Sequence, residues 1–250
     1  MIKLHFGGII KCYICGKIAK AYIKDWNLRE TCICSNCKST NRQRQVAYVL
    51  CKVLEEEKKV SFKSLEDIIT INNFAIYNTE AGGPLHNTLV KSRKYTFSEF
   101  FNHNYSSGTK VKGVLHQDLT KLSFKEQSFD LVISGDVFEH IPDPYKAHKE
   151  VYRVLKSGGR HIFTVPFYQT EYFDEVRAQM SKRWKNILIK PPLFHQDPIR
   201  EEGVLVYTIF GLEMLIKLAQ IGFKTHFYKL YLPLHGIIGP NAIVFEAIKS

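Results

Sequence analysis

Apolar and polar positions repeat with two different periods along this 250-residue chain. In KSTNRQRQVAYVLCKVLEEEKK the residues Val46, Ala47, Val49, Leu50, Val53 and Leu54 recur at helical spacing, which predicts an amphipathic linking helix within about 44–70. From about Phe74 the pattern becomes strands alternating with helices. NNFAIYNTE reads as a strand that stops at the glycine pair of EAGGPLHNTLV, which opens a helix. KYTFSEFF, VKGVLHQDL and SFDLVISGD read as a second, third and fourth strand, and GRHIFTVP as a fifth. Between the last two, DPYKAHKEVYRVLKSGG predicts a helix capped by Asp143, started by Pro144 and ended by Gly158 and Gly159. FGLEMLIKLAQIGF predicts a helix closed by Gly222, followed by the strands KTHFYKLY and NAIVFEAI. Strands joined by crossover helices predict an α/β fold, a doubly wound and mostly parallel sheet. A long insert at about 167–206 interrupts the alternation, where lids and binding hairpins belong.

Composition narrows the class. At 45% hydrophobic and 24% charged residues the chain is globular, which excludes a disordered or fibrous protein. No apolar run approaches the ~18 residues of a membrane span. The N-terminal apolar stretch is too short for a signal peptide, so a cytoplasmic location is expected. The formal charge of +11 admits nucleic acid, anionic surfaces or acidic ligands and selects none of them.

Five of the six cysteines fall within the first 37 residues. Cys12/Cys15 and Cys34/Cys37 each have the two-residue gap that aims two thiolates at one ion, and two such knuckles complete a tetrahedral zinc site. Gly16 frees the turn after the first pair. Reduced thiols or a redox CxxC pair are the alternatives, although a redox motif needs only one pair. Cys32 can replace Cys34 as a ligand, and Cys51 is expected to pack inside the following helix. Four protein ligands leave no open position, so this zinc is structural. The chain thus divides into a zinc-knuckle module at 1–43, the linking helix at 44–70 and an α/β domain at 71–250.

The stretch QDLTKLSFKEQSFDLVISGDVFEHIPDPYKAHKEVYRVLKSGGRHIFTVP closely resembles the central motifs of class I S-adenosylmethionine-dependent methyltransferases. The resemblance is strong over about 114–166 and continuous over about 74–248. It implies a Rossmann-like, seven-stranded sheet with an antiparallel last strand, and S-adenosylmethionine as cofactor. The cysteine module resembles the zinc-knuckle preamble ahead of some bacterial methyltransferase domains.

Carried over by position, the resemblance makes Glu99 the acceptor for the ribose hydroxyls. Asp118 becomes the acceptor for the adenine amino group, and Leu119 supplies backbone and an apolar contact. Ser134, Gly135 and Asp136 lie beside the methyl donor, and Phe138, Glu139 and His140 continue that turn. The first glycine loop departs from the family: Asn78 stands at the usual acidic position and Glu80 replaces the first glycine. Gly82 and Gly83 still permit close approach, and Glu80 can meet the ammonium or sulfonium charge.

Methyl transfer is an in-line displacement in which the protein supplies alignment, and a general base serves only a weakly acidic acceptor. Its candidates are His140 in FEHIPDP and the pair His195/Asp197 in LFHQDP. The favoured acceptor is a small molecule or glycan capped by the insert. A nucleic-acid (RNA) acceptor is the second reading, motivated by Lys38, Arg42 and Arg44 and by Lys182, Arg183, Trp184 and Lys185. A non-catalytic zinc-binding adaptor on a degenerate methyltransferase fold is the third. The oligomeric state is not legible.

Overall fold

The computed structural model describes residues 5–181, 185–196, 202–239 and 242–250. The chain opens with a three-stranded antiparallel sheet, β1 (His5–Lys11), β2 (Ile18–Ile23) and β3 (Ile33–Cys34). Helix α1 (Asn41–Lys58) follows; Thr40 caps it, accepting from the Gln43 amide while the Gln43 side chain bonds back to Thr40. The linking segment is therefore two helices, α1 and the single turn α2 (Leu65–Ile68).

The central sheet begins with β4 (Ile76–Asn78), followed by the seven-residue helix α3 (Gly83–Leu89) and β5 (Tyr95–Phe97). The expected third strand, VKGVLHQDL, does not enter the sheet as a strand. It folds back as a small hairpin of β6 (Lys110–Val111) and β7 (Val114–Leu115), and only a single parallel bridge, Glu99 to His116, continues the sheet edge. Next come β8 (Phe129–Gly135), helix α4 (Pro144–Val154) and β9 (Leu155–Thr164). Asp143 caps α4 as expected, accepting from the Lys146 amide. The helix stops before Gly158 and Gly159, however, because Leu155 already pairs with Phe129 and the two glycines lie within β9.

The insert is built of small antiparallel ribbons: β10 (Glu175–Val176), β11 (Ala178–Met180), β12 (Asn186–Leu188), β13 (Phe194–His195), β14 (Val204–Leu205) and β15 (Thr208–Ile209). β10 pairs with β15, β11 with β12 and β13 with β14. Helix α5 (Glu213–Ile221), closed by a left-handed Gly222, leads to β16 (Phe223–Tyr228) and β17 (Val244–Lys249).

Among the described residues the main sheet has six strands rather than seven, in the order β16-β17-β9-β8-β4-β5. β17 is antiparallel to both neighbours and the rest of the core is parallel, as expected. Alternate residues feed opposite faces. Ile76, Leu131, Ile133 and Ile162 pack with α1, α2 and the cysteine module, whereas Tyr77, Val132, Phe163 and Phe245 pack with α4 and α5. The core of the first face therefore runs unbroken from the cysteine module to the sheet, and Cys51 is buried in it. No described helix is long and apolar enough to cross a membrane.

Candidate functional site

The sulfurs of Cys12, Cys15, Cys34 and Cys37 all lie within 4.8 Å of one another. Both pairs are held by the same local device. The residue after the second cysteine takes a left-handed conformation, Gly16 at φ 66° and Lys38 at φ 64°, and donates its N–H to the carbonyl of the first cysteine. The Cys12 and Cys37 sulfurs are 3.7 Å apart, close to the roughly 3.8 Å edge of a zinc tetrathiolate with Zn–S bonds of about 2.3 Å. The donor set thus fits a tetrahedral thiophilic ion. Cys32 stands apart from the cluster, in a left-handed turn whose carbonyl accepts from Arg44.

Arg44 is fully buried and joins this module to the turn at 233–236 in the C-terminal part of the chain. It donates to Ser39, to the carbonyl of His235 at 3.0 Å and to that of Gly236 at 2.8 Å. The same module reaches the carboxyl ends of β4 and β8. Arg29 and Arg42 both ion-pair with Asp136, and Arg42 also with Glu30. Asp136 sits in the left-handed region at φ 57° and accepts from Thr164 Oγ1 at 2.8 Å, so its carboxylate is aimed by backbone strain as well as charge. Burial would raise its pKa, but the Arg42 and Arg29 guanidiniums bring it below the usual carboxylate range. Burial likewise disfavours charge on Arg42, and Asp136 and Glu30 outweigh it.

The glycine loop faces these arginines. Buried Asn78 donates to the Glu80 carbonyl at 3.0 Å and to the Tyr95 hydroxyl at 2.9 Å, which shapes the turn without exposing an acid. Gly82 caps α3 and has open space where a Cβ would stand; Gly83 takes φ 80°. A Cβ on Gly135 would come within 2.7 Å of the Arg42 guanidinium and 3.4 Å of the Glu80 carboxylate, so a side chain there would push these two charged ends aside. Burial pushes the Glu80 pKa up to about 7, against the pull of Arg42.

Around the edge, Glu99 Oε1 accepts from the Phe100 amide at 3.1 Å. Asp118 Oδ1 holds a turn, accepting from the Thr120 amide and hydroxyl, both at 2.8 Å. Leu119 is buried in the core on the α4 side. Ser134 is also fully buried and turns inward, its Oγ 2.9 Å from His161 Nε2, so any contact it makes at the strand end comes from its main chain.

His140 and His195 meet, their rings perpendicular with centroids 5.1 Å apart. Asp197, expected beside His195, lies outside the described residues. The acid that does face both histidines is Glu139. Reading the sequence left it without a role; its one signal is an acid next to a histidine in an otherwise apolar turn. Arg29 and Glu30 were also missed, because nothing local marks a loop that reaches a distant strand end. Arg42 and Arg44, proposed as phosphate contacts, are instead committed to internal partners, whereas Lys38 and Lys185 are exposed. Lys182, Arg183 and Trp184 lie outside the described residues.

Residues 94–163, from β5 to β9, match the model of a methyltransferase domain family. The chain is similar to cycloartenol-C-24-methyltransferase of Arabidopsis thaliana, 31% identical over 40% of this chain and 33% of that protein. It is also similar to a sarcosine/dimethylglycine N-methyltransferase of Halorhodospira halochloris, 27% identical over 61% of this chain and 57% of that protein. A solved S-adenosylmethionine-dependent methyltransferase from Mesorhizobium loti aligns over 74% of this chain and 95% of its own, at 14% identity and a TM-score of 0.45. The chain spans between a third and about 57% of the length of the two curated relatives.

Proposed function

We propose that this protein is an S-adenosylmethionine-dependent methyltransferase with a structural zinc ion in its cysteine cluster, acting on a small-molecule or glycan-type acceptor. The observation that carries the reading is the charge pattern at the carboxyl ends of β4, β5 and β8, within and beside the matched methyltransferase segment. Arg29 and Arg42, which pair with Asp136, would share their guanidiniums with the cofactor's carboxylate, and Glu80 would meet its ammonium. Glu99 would hold the ribose hydroxyls and Asp118 the adenine amino group. When bound, the cofactor supplies a methyl group on a sulfonium that departs as a neutral thioether. The chain's own part is to align the acceptor and, for a hydroxyl, to take up its proton, a role open to His140 or His195 only where their ring nitrogens hold no metal.

A small-molecule or sugar acceptor is favoured by the insert. Tyr168, Thr170, Glu171, Phe173, Glu175 and Lys190 line an open surface depression of about 430 Å³ whose aromatic and polar walls suit a polyhydroxylated ligand. The internal commitment of Arg44 weighs against the nucleic-acid reading. Calorimetry with S-adenosylmethionine and its demethylated product tests the proposal. Saturable binding of both is expected, and absence of binding at millimolar ligand would leave the adaptor reading in its place. Protein purified without added zinc should carry one equivalent of zinc.

A further inference from the structure

We propose that Glu139, His140 and His195 form a second metal centre, for a divalent transition-metal ion, at the mouth of the strand-end site. One ligand atom from each of the three lies within 4.8 Å of the others. Glu139 sits in the single helical turn Phe138–His140 that follows β8 and is fully buried. Among the described residues neither of its carboxylate oxygens has a hydrogen-bond partner. A buried carboxylate left so is costly, and a cation is what such a group accommodates.

The histidines are prepared as ligands. His140 Nδ1 is 2.8 Å from the carbonyl oxygen of Leu205. A carbonyl only accepts, so Nδ1 carries the proton and Nε2 presents its lone pair, 3.8 Å from Glu139 Oε1. His195 Nδ1 is 3.4 Å from the same oxygen. One ribbon arranges both rings: β14 supplies the Leu205 carbonyl that orients His140, and β13, paired to it, supplies His195. The Tyr207 amide holds the Glu139 carbonyl at 2.7 Å and so ties the helical turn to the insert.

Metal–ligand bonds of about 2.0–2.2 Å place neighbouring ligand atoms roughly 3.0–3.5 Å apart; the two glutamate–histidine distances of 3.4 and 3.8 Å need little contraction, and the histidine nitrogens, within 4.8 Å of each other, close on the ion as it binds. Two imidazoles and one carboxylate favour zinc, cobalt, iron or manganese over magnesium or calcium. Three protein ligands leave positions for water or a substrate oxygen, on the side where His195 is 34% exposed. The cysteine centre, by contrast, has its four thiolates and no such opening.

The test needs no methyl donor, so it stands or fails separately from the proposed methyltransferase activity. Protein whose cysteine centre is filled with zinc is treated with a mild chelator and titrated with Co²⁺, read by calorimetry and visible absorption. One equivalent of Co²⁺ should bind with weak ligand-field bands and without thiolate charge-transfer absorption, while the zinc content stays at one equivalent. Glu139→Gln and His195→Ala should each weaken Co²⁺ binding at least about tenfold. His195 lies on an exposed ribbon, so its variant keeps the test valid where the buried Glu139→Gln does not fold. No Co²⁺ uptake at millimolar metal, uptake only with thiolate charge transfer, or unchanged affinity in His195→Ala would overturn the proposal.

Discussion

The two clusters of side chains that could hold a metal are opposites. The cysteine cluster is made by two short turns with the same backbone device, is buried at Cys12, Cys15 and Cys34 and half-buried at Cys37, and shares its core with α1 and the sheet. The glutamate–histidine cluster is made by one turn at the end of β8 and a ribbon of the insert, and it keeps one histidine partly in solvent. The first arrangement can only hold structure, because no position is open for a reactant. The second sits where strands end and loops begin, and its incomplete ligand set is what chemistry requires. A closed centre is also where removal should hurt folding, whereas an open one should yield its ion with the fold intact.

The largest effect expected is therefore at the cysteine centre. Structural zinc sites carry apparent binding free energies of about 10–16 kcal/mol in small peptides, so Cys34→Ser should lower the melting temperature sharply and release zinc. Cys32→Ser should retain the full equivalent, since Cys32 lies outside the cluster. Equal zinc loss in both variants would break the assignment. Next is Arg44→Ala, which leaves the carbonyls of Cys32, His235 and Gly236 without their donor. Urea unfolding should show a loss of about 3 kcal/mol, and a negligible loss would mean that the module is not stapled to the turn at 233–236.

Arg42→Gln removes a charge facing Asp136 at the strand end. Affinity for S-adenosylmethionine should fall about tenfold, roughly 1.4 kcal/mol, with the zinc content unchanged; loss of zinc instead would place Arg42 with the closed centre. Glu80 sharpens the same boundary through pH. Its folded pKa of about 7 lies above its ordinary value of 4.5, so between these the folded state holds a proton that the unfolded state has lost. Stability from this group falls as pH rises through that window and is level above it. It is read as the difference between wild type and Glu80→Gln, because buried His148, whose pKa burial lowers to about 3, contributes a slope of the opposite sign. A cationic ligand group at Glu80 favours the ionised form, so cofactor affinity should rise as pH passes about 7, and Glu80→Gln should flatten that rise. The smallest effect is Thr40→Ala, which removes the α1 cap for about 1 kcal/mol and should leave both centres filled.

Much of the fold was legible because its signals are local. The α4 cap at Asp143, the left-handed stop at Gly222, the helical stripe of α1 and the β-type runs around Ile76, Leu131 and Ile162 each state their structure within a few residues. The misses share one cause. VKGVLHQDL has the composition of a strand, yet it lies at the sheet edge, where a hairpin and a single bridge compete with pairing. Gly158 and Gly159 read as a helix stop, but the pairing of Leu155 with Phe129 starts β9 before them.

The sequence by itself determined the α/β order, while the antiparallel last strand came from the family resemblance. It also marked the two CxxC pairs that converge, because the element order depends on hydrophobic period and the pairs on spacing within one turn; the choice of Cys34 over Cys32 came from the tertiary structure. Tertiary structure alone decided what fills the strand-end site. Arg29 and Arg42 arrive there from the cysteine module, Ser134 turns inward to His161, and Glu139 faces His195 across the insert ribbon. Those partners are far apart in the chain, and an interaction between side chains carries no local pattern until the backbone has brought them within a few ångströms.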